Sequence, residues 1–396
     1  AFLDIDTLER ERGITIFSKQ AVFPLGDREV TLLDTPGHVD FSAEMERTLQ
    51  VLDCAVLVIS ASDGVQAHTL TLWRLLEKRR IPVFLFVNKM DLAGMDPDAL
   101  LASLRGRLSE GCLRFGEDRA TLWEEAATAS EEALTEYLDT QALSDNTLRS
   151  LVAERTVFPC WFGSALKLTG VEEFLEGLAA YAPRPDYGAD FGAKVYKIGR
   201  DSQGVRLTYL KITGGSLRVK GLLSGTDGRG EFWEEKAEQL RVYSGSRFTA
   251  LEEAAAGTVC AVTGLTKTFP GQGLGSEAAS APPELEPVVN YQLLLPEGCD
   301  PHPALDKLRL LAEEDPQLHI LWNERLQQIH VRLMGQVQLE VLRRVILERF
   351  GLSVDFGPGG ILYRETIAAP AGGVGHYEPL RHYAEVHLLL EPLPRG

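Results

Sequence analysis

Four short apolar runs, each ending in a polar cluster and followed by an amphipathic stretch, constrain this chain more than any other feature. They are Val30–Leu33, Ala55–Ile59, Val83–Val87 and Val157–Phe162. Runs of this length separated by helical periods specify a parallel sheet with helices on both faces. Such sheets hold ligands beyond the carboxyl ends of their strands, so the polar clusters are expected to converge there.

The clusters carry a coherent chemistry. Asp34-Thr35-Pro36-Gly37-His38 follows the first run: Asp34 can hold Mg²⁺, the Gly37 amide can sense a terminal phosphate, and His38 can orient an attacking water. Asn88-Lys89-Met90-Asp91 follows the third run, where Asp91 can accept from two guanine donors that adenine does not present. Asn88 would brace that loop, and the Lys89 stem would pack along the base. Ser164, Ala165 and Leu166 can offer backbone amides to the guanine carbonyl, while Thr15 in Arg12-Gly13-Ile14-Thr15-Ile16 places a hydroxyl where a mobile loop could ligate Mg²⁺. The expected ligands are therefore GTP or GDP with Mg²⁺. The plainer alternatives are a turn at Pro36-Gly37, a strand start at Ile14-Thr15-Ile16, and an aspartic-protease dyad, whose second Asp-Thr-Gly is missing.

A glycine-rich phosphate loop, G-x-x-x-x-G-K-[ST], occurs nowhere in the 396 residues. The chain is accordingly expected to be a fragment that neither binds GTP at micromolar affinity nor hydrolyses it. Apolar faces of the strands next to the missing one should be uncovered.

Punctuation divides the chain into four parts. Residues 1–184 form the α/β nucleotide-binding domain, N-terminally incomplete, with helices and a solvated insert over 96–155; Pro183-Arg184-Pro185-Asp186-Tyr187-Gly188 then breaks the pattern. Residues 188–282 alternate like the strands of a β-barrel domain. Residues 287–362 have the strand–helix–strand–strand–helix–strand order of a ferredoxin-like α+β domain. Residues 363–396 read as the start of a truncated fourth domain, with a strand over 384–390 that has nothing to pair with. His376, His382 and His387 with Glu378 and Glu385 lack tight ligand spacing, so no metal site made by protein alone is expected.

A net charge of −17 excludes affinity for polyanions through bulk charge, so any nucleic-acid partner must be met locally, at positions such as Arg325, Arg343 and Arg344. Five scattered cysteines without C-x-x-C spacing suit reduced thiols in the cytoplasm. No apolar run is long enough to span a membrane.

Glu9-Arg10-Glu11-Arg12-Gly13-Ile14-Thr15, the cluster from Asp34 to Phe41 and Asn88-Lys89-Met90-Asp91 together resemble the translational GTPases, the elongation factor G branch above all. Gly214-Gly215-Ser216-Leu217-Arg218-Val219, Glu314-Asp315-Pro316 and Tyr363-Arg364-Glu365-Thr366-Ile367 extend the resemblance over nearly the whole chain. The stretch Ile59–Ala67 and the helical segment around Glu131–Glu154 are more similar to the tetracycline ribosomal-protection proteins. The resemblance implies a GTPase domain of the phosphate-loop class lacking its first strand, Thr15 and Asp34 as Mg²⁺ ligands, and Ile14 as part of an apolar gate near the catalytic His38. It also implies a monomer that works on the ribosome and hydrolyses GTP, with translocation, or a non-catalytic ribosome-binding module, as alternatives.

Overall fold

The computed structural model describes residues 3, 7–116, 118–362, 367–378 and 383–392. The first domain contains α1 (Thr7–Arg12), β1 (Lys19–Leu25), β2 (Arg28–Asp34), α2 (Ser42–Leu49), β3 (Ala55–Ser60), α3 (Ala67–Lys78), β4 (Val83–Asn88), α4 (Pro97–Arg107), β5 (Cys112–Arg114), α5 (Arg119–Ala127), α6 (Glu131–Thr140), α7 (Asp145–Ala153), β6 (Phe158–Phe162) and α8 (Val171–Tyr181). Its parallel sheet has the order β3-β4-β6-β5. β4 has no exposed residue, with Val83, Leu85 and Val87 in one apolar core and Phe84 and Phe86 in the other. That two-sided burial explains its unbroken apolar sequence.

Two expectations fail here. The run at 30–33 does not join the parallel sheet. It lies in β2, antiparallel to β1, and these two strands form a separate ribbon. A two-residue connection, Gly26-Asp27, closes the hairpin with Gly26 at φ 62°, where glycine is unstrained. The insert also contains the three-residue strand β5, too short to show as an apolar run.

β3 is open on one edge and one face. It pairs only with β4 among the described residues, and while Ala55, Leu57 and Ile59 are buried, Val56 and Val58 on the opposite face are 38% and 58% exposed. β2 likewise has β1 as its only partner among the described residues.

The second domain comprises β7 (Gly192–Arg200), β8 (Arg206–Gly214), β9 (Ser216–Arg218), β10 (Leu222–Thr226), β11 (Phe232–Lys236), β12 (Gln239–Ser244), β13 (Arg247–Leu251), β14 (Glu253–Ala255), β15 (Val259–Thr263) and β16 (Gly273–Gly275). A six-stranded sheet and two two-stranded ribbons surround one core, with alternate residues such as Leu210 and Ile212 pointing inward. In the third domain β17 (Val289–Leu294), α9 (Pro301–Glu314), β18 (Leu321–Asn323), β19 (Gln328–Leu333), α10 (Gln336–Phe350), β20 (Asp355–Phe356) and β21 (Gly360–Ile361) follow. The sheet order β18-β19-β17-β20 is that of a split βαβ fold, with all pairs antiparallel. The strand over 384–390, expected to be unpaired, is β23 (Ala384–Leu390) and pairs with β22 (Ala371–Tyr377). Three glycines in β22 hide its strand character. Tyr363, Arg364, Glu365, Thr366 and His382 lie outside the described residues.

α2 is the hub of the molecule, because all eight of its residues are buried. Glu44 binds Lys197 of the second domain and Arg47, both at 2.7 Å, and Arg47 reaches Asp315 of the third domain at 2.7 Å. Glu46 pairs with Arg79 and accepts the amides of Glu284 and Leu285 in the second connector. Burial alone would push the Glu44 carboxyl up, but Lys197 and Arg47 outweigh it and hold its pKa far below the usual carboxylate range. A depressed carboxylate contributes stability above its unfolded pKa and loses it as pH falls toward the folded one. Glu44→Gln should therefore cost about 3 kcal/mol or more at pH 7, by stranding buried cations. In urea titrations the gap between wild type and variant should shrink as pH drops below about 4.5.

Candidate nucleotide site

The half of the site expected to read guanine is assembled by two adjacent parallel strands. β4 and β6 run in register with Val87 opposite Phe162, so Asn88 and Gly163 leave the sheet side by side. Asn88 then ties the two loops, its Oδ1 accepting from Lys89 N at 2.8 Å and from Ala165 N at 2.9 Å. Met90 N donates to Gly163 O at 3.0 Å, and Lys89 sits in the left-handed region at φ 67°. A lysine in that conformation costs about 1 kcal/mol or more, sustained here by the surrounding hydrogen bonds. Asp91 is exposed, and the Ser164 hydroxyl holds its carboxyl below the usual value.

The amides of residues 164–166 are not equivalent. Ser164 N donates to Thr169 O, and Ala165 N is engaged by Asn88. Leu166 is 83% exposed.

The His38 loop is built differently. Asp34 ends β2, and residues 35–38 lead into a 3₁₀ turn, Val39–Phe41, capped by His38 itself. His38 Nδ1 accepts from Asp40 N at 3.2 Å, so the neutral ring carries its proton on Nε2 and presents a donor there. Its ring centroid is 6.0 Å from that of Phe41. Gly37 has open space around its α-carbon. Ile14 packs in the cluster of Leu8, Ile16, Phe41 and Val341, one residue removed from His38. Thr15 and Asp34 are both half-buried, Asp34 standing opposite Lys19 in the β1–β2 register.

Two residues of this region have no counterpart among the sequence expectations. Glu9 is fully buried: its Oε1 accepts the amides of Ile16 and Phe17 at 3.0 and 3.1 Å, and its Oε2 pairs with Lys19. It fixes the loop that carries Ile14 and Thr15. A buried glutamate is invisible in a stretch of alternating charges such as Thr7–Arg12. His68, at the start of α3, has its pKa lowered by burial and by the nearby His38, and its Nε2 is buried without a partner among the described residues. Ala61, just after β3, donates to Asn88 O, which ties the β3–α3 corner to the Asn88 loop.

The oxygen donors Thr15 and Asp34 suit a hard cation that keeps most of its water, as Mg²⁺ does. Among the described residues no group of three or more His, Cys, Asp or Glu could hold a metal ion by itself. Arg343 and Arg344, considered for RNA contact, are paired with Asp355 and with Glu11 and Glu348, respectively. Among the described residues no helix is long and apolar enough to cross a membrane.

Residues 1–184 match the family described as the elongation factor Tu GTP binding domain. Elongation factor G 2 of Geobacter metallireducens is 30% identical, with the alignment covering 100% of this chain and 68% of that protein. The chain belongs to the elongation factor G family of translational GTPases. Within that family's neighbourhood, the tetracycline resistance protein TetM of Streptomyces lividans is 33% identical over 98% of this chain and 65% of its own length. A crystal structure from Thermus thermophilus superposes with a TM-score of 0.79 at 25% identity, covering 99% of this chain and 67% of that one. The chain thus spans about two thirds of the length of the relatives it matches.

Proposed function

We propose that the protein to which this chain belongs binds GTP with Mg²⁺ and hydrolyses it to GDP and phosphate on the ribosome. The observation that carries this reading is the Asn88 bridge, which sets Asp91 beside the Ser164–Leu166 loop at the mouth of the parallel sheet. In that arrangement Asp91 accepts from the guanine ring nitrogen and exocyclic amine, the Leu166 amide donates to its carbonyl oxygen, and the Lys89 stem covers the base. His38 donates through Nε2 toward the terminal phosphate and its attacking water. Gly37, with no side chain to intrude, lets the phosphate approach its amide. Bound Mg²⁺ would neutralise phosphate charge, and Thr15 and Asp34 are the residues to hold it.

The triphosphate itself needs a phosphate loop. Among the described residues β2 pairs only with β1 and β3 only with β4, and these edges, together with the exposed Val56 and Val58, fit a further parallel strand and helix placed between them. A glycine-rich loop leaving that strand would open on the same side of the sheet as Asn88.

Asp91→Ala tests the base-reading assignment. In a protein carrying its phosphate loop, GTP affinity should fall about 100-fold and the preference over ATP should nearly vanish, because no carboxylate acceptor is then left unmatched by the wrong base. Competition binding with the two nucleotides measures it, and undiminished discrimination would remove Asp91 from the role.

Within the family we favour ribosomal protection against tetracycline over translocation. The support is the likeness to TetM and to the tetracycline resistance protein TetP of Clostridium perfringens, 29% identical over 98% of this chain. Elongation factor G 2 proteins, 31% and 30% identical over 94% and 100% of this chain, match equally well, so translocation is the competing assignment. Survival on tetracycline, set against rescue of cells depleted of elongation factor G, separates the two.

A further inference from the structure

α10 runs for 15 residues, yet its N-cap is Gly335, which has no side chain to accept from the first turn. Helices α4, α5, α6, α7 and α9 are each capped locally by an aspartate or a serine. For α10 the acceptor comes from another domain: Asp40 Oδ2 accepts from Val337 N at 2.8 Å and from Gln338 N at 3.3 Å. A carboxylate at a helix N-terminus is favoured both by the orphan amides and by the helix dipole. Gly335 is extended, at φ −170°, so its backbone does not demand glycine. The demand is steric, since a Cβ there would fall inside the Asp40 carboxylate.

Asp40 also faces the other way. Its amide donates to His38 Nδ1, and its Oδ1 lies 3.6 Å from the same nitrogen. Around it, Val337, Val341 and Val345 of α10 pack with Leu8, Ile14, Ile16 and Phe41. The ion pairs Arg344–Glu11 and Arg12–Glu340 close the rim. A cavity of about 510 Å³ adjoins this contact, lined in part by Phe41, Arg47, Lys197, Leu311 and Val341.

We infer that Asp40 is a positioning residue that couples the His38 loop to the third domain: by completing the first turn of α10, it makes the placement of the imidazole depend on where that domain stands. A partner that displaces the third domain moves His38. Reciprocally, ordering the His38 loop on a terminal phosphate pulls on α10. The catalytic consequence rests on the reading of His38 given above, but the coupling is a property of the chain without nucleotide, and its test uses none.

Amide hydrogen exchange on the 396-residue chain provides that test, comparing wild type, Gly335→Ala, Asp40→Ala and the double variant. Each single variant is expected to speed exchange about tenfold or more both at 337–342 and at 38–41, given the worth of a buried, charged cap. Residues 83–87 and 329–333, in the two sheets, should keep their wild-type rates. The double variant should be no faster than Asp40→Ala, because the added methyl then meets no carboxylate. Loosening confined to 337–342, no change at either segment, or additive effects in the double variant would overturn the coupling. Should Gly335→Ala disturb the sheets, Asp40→Asn, which keeps the shape and removes the charge, is read the same way: faster exchange at both segments supports the coupling, and at α10 alone overturns it.

Discussion

Titrated with GTP in a calorimeter, the 396-residue chain should give no binding heat at micromolar concentrations, whereas the same chain extended by a strand, a glycine-rich lysine loop and a helix should bind at least about a thousandfold more tightly. In the proposed site the Asn88 and Ser164 loops would contact the base alone. Hydrogen bonds to charged phosphate oxygens contribute about 1.5–3 kcal/mol each, so the loss of a lysine and several backbone amides removes three or more orders of magnitude. The extension should also cover Val56 and Val58, visible as protection of β3 from solvent exchange. Tight GTP binding by the unextended chain would show that some other set of groups holds the phosphates.

The second large effect concerns His38. In a protein with its phosphate loop, His38→Ala is expected to lower kcat by about 10²–10⁴ while leaving the GTP dissociation constant within about threefold, as for a positioned proton-bearing group that acts only in the transition state. The geometry behind this is the Nδ1 acceptance from Asp40, which commits the neutral ring to a donor at Nε2. His38 also caps the Val39–Phe41 turn, so a purely structural role has its own signature. Loss of nucleotide binding along with turnover would place the histidine in the loop's architecture rather than in the chemistry.

Some of this was legible in the residues and some was not. β3, β4 and β6 are continuous apolar runs because at least one face of each is buried in the first domain's cores, and polar clusters mark their ends. The meeting of Asn88 with Ala165 follows from parallel neighbours in register. Which strands become neighbours is a different matter. Val30–Leu33 looks like a sheet strand, yet it belongs to a ribbon, because local sequence does not record which strand an edge will pair with. β1 does not stand out in the sequence because Gln20 and Pro24 break its apolar pattern, although Gly26-Asp27 carries the hairpin signal. The third domain's helices and strands were readable from period and punctuation. The roles of Glu9 and Asp40 were not, because each is an acidic residue in a polar motif whose burial depends on contacts made elsewhere; the amide Asp40 caps lies 297 positions away.

The burial of α2 bears on how such a chain can be recombined. Lys197, Asp315 and the backbone at 284–285 all answer to Glu44, Arg47 and Glu46, so this short helix has no owner among the three folded units it joins. A chimera that took its middle or third portion from a relative would inherit stranded charges unless those positions travelled with it, and the pieces are consequently less modular than their separate cores suggest.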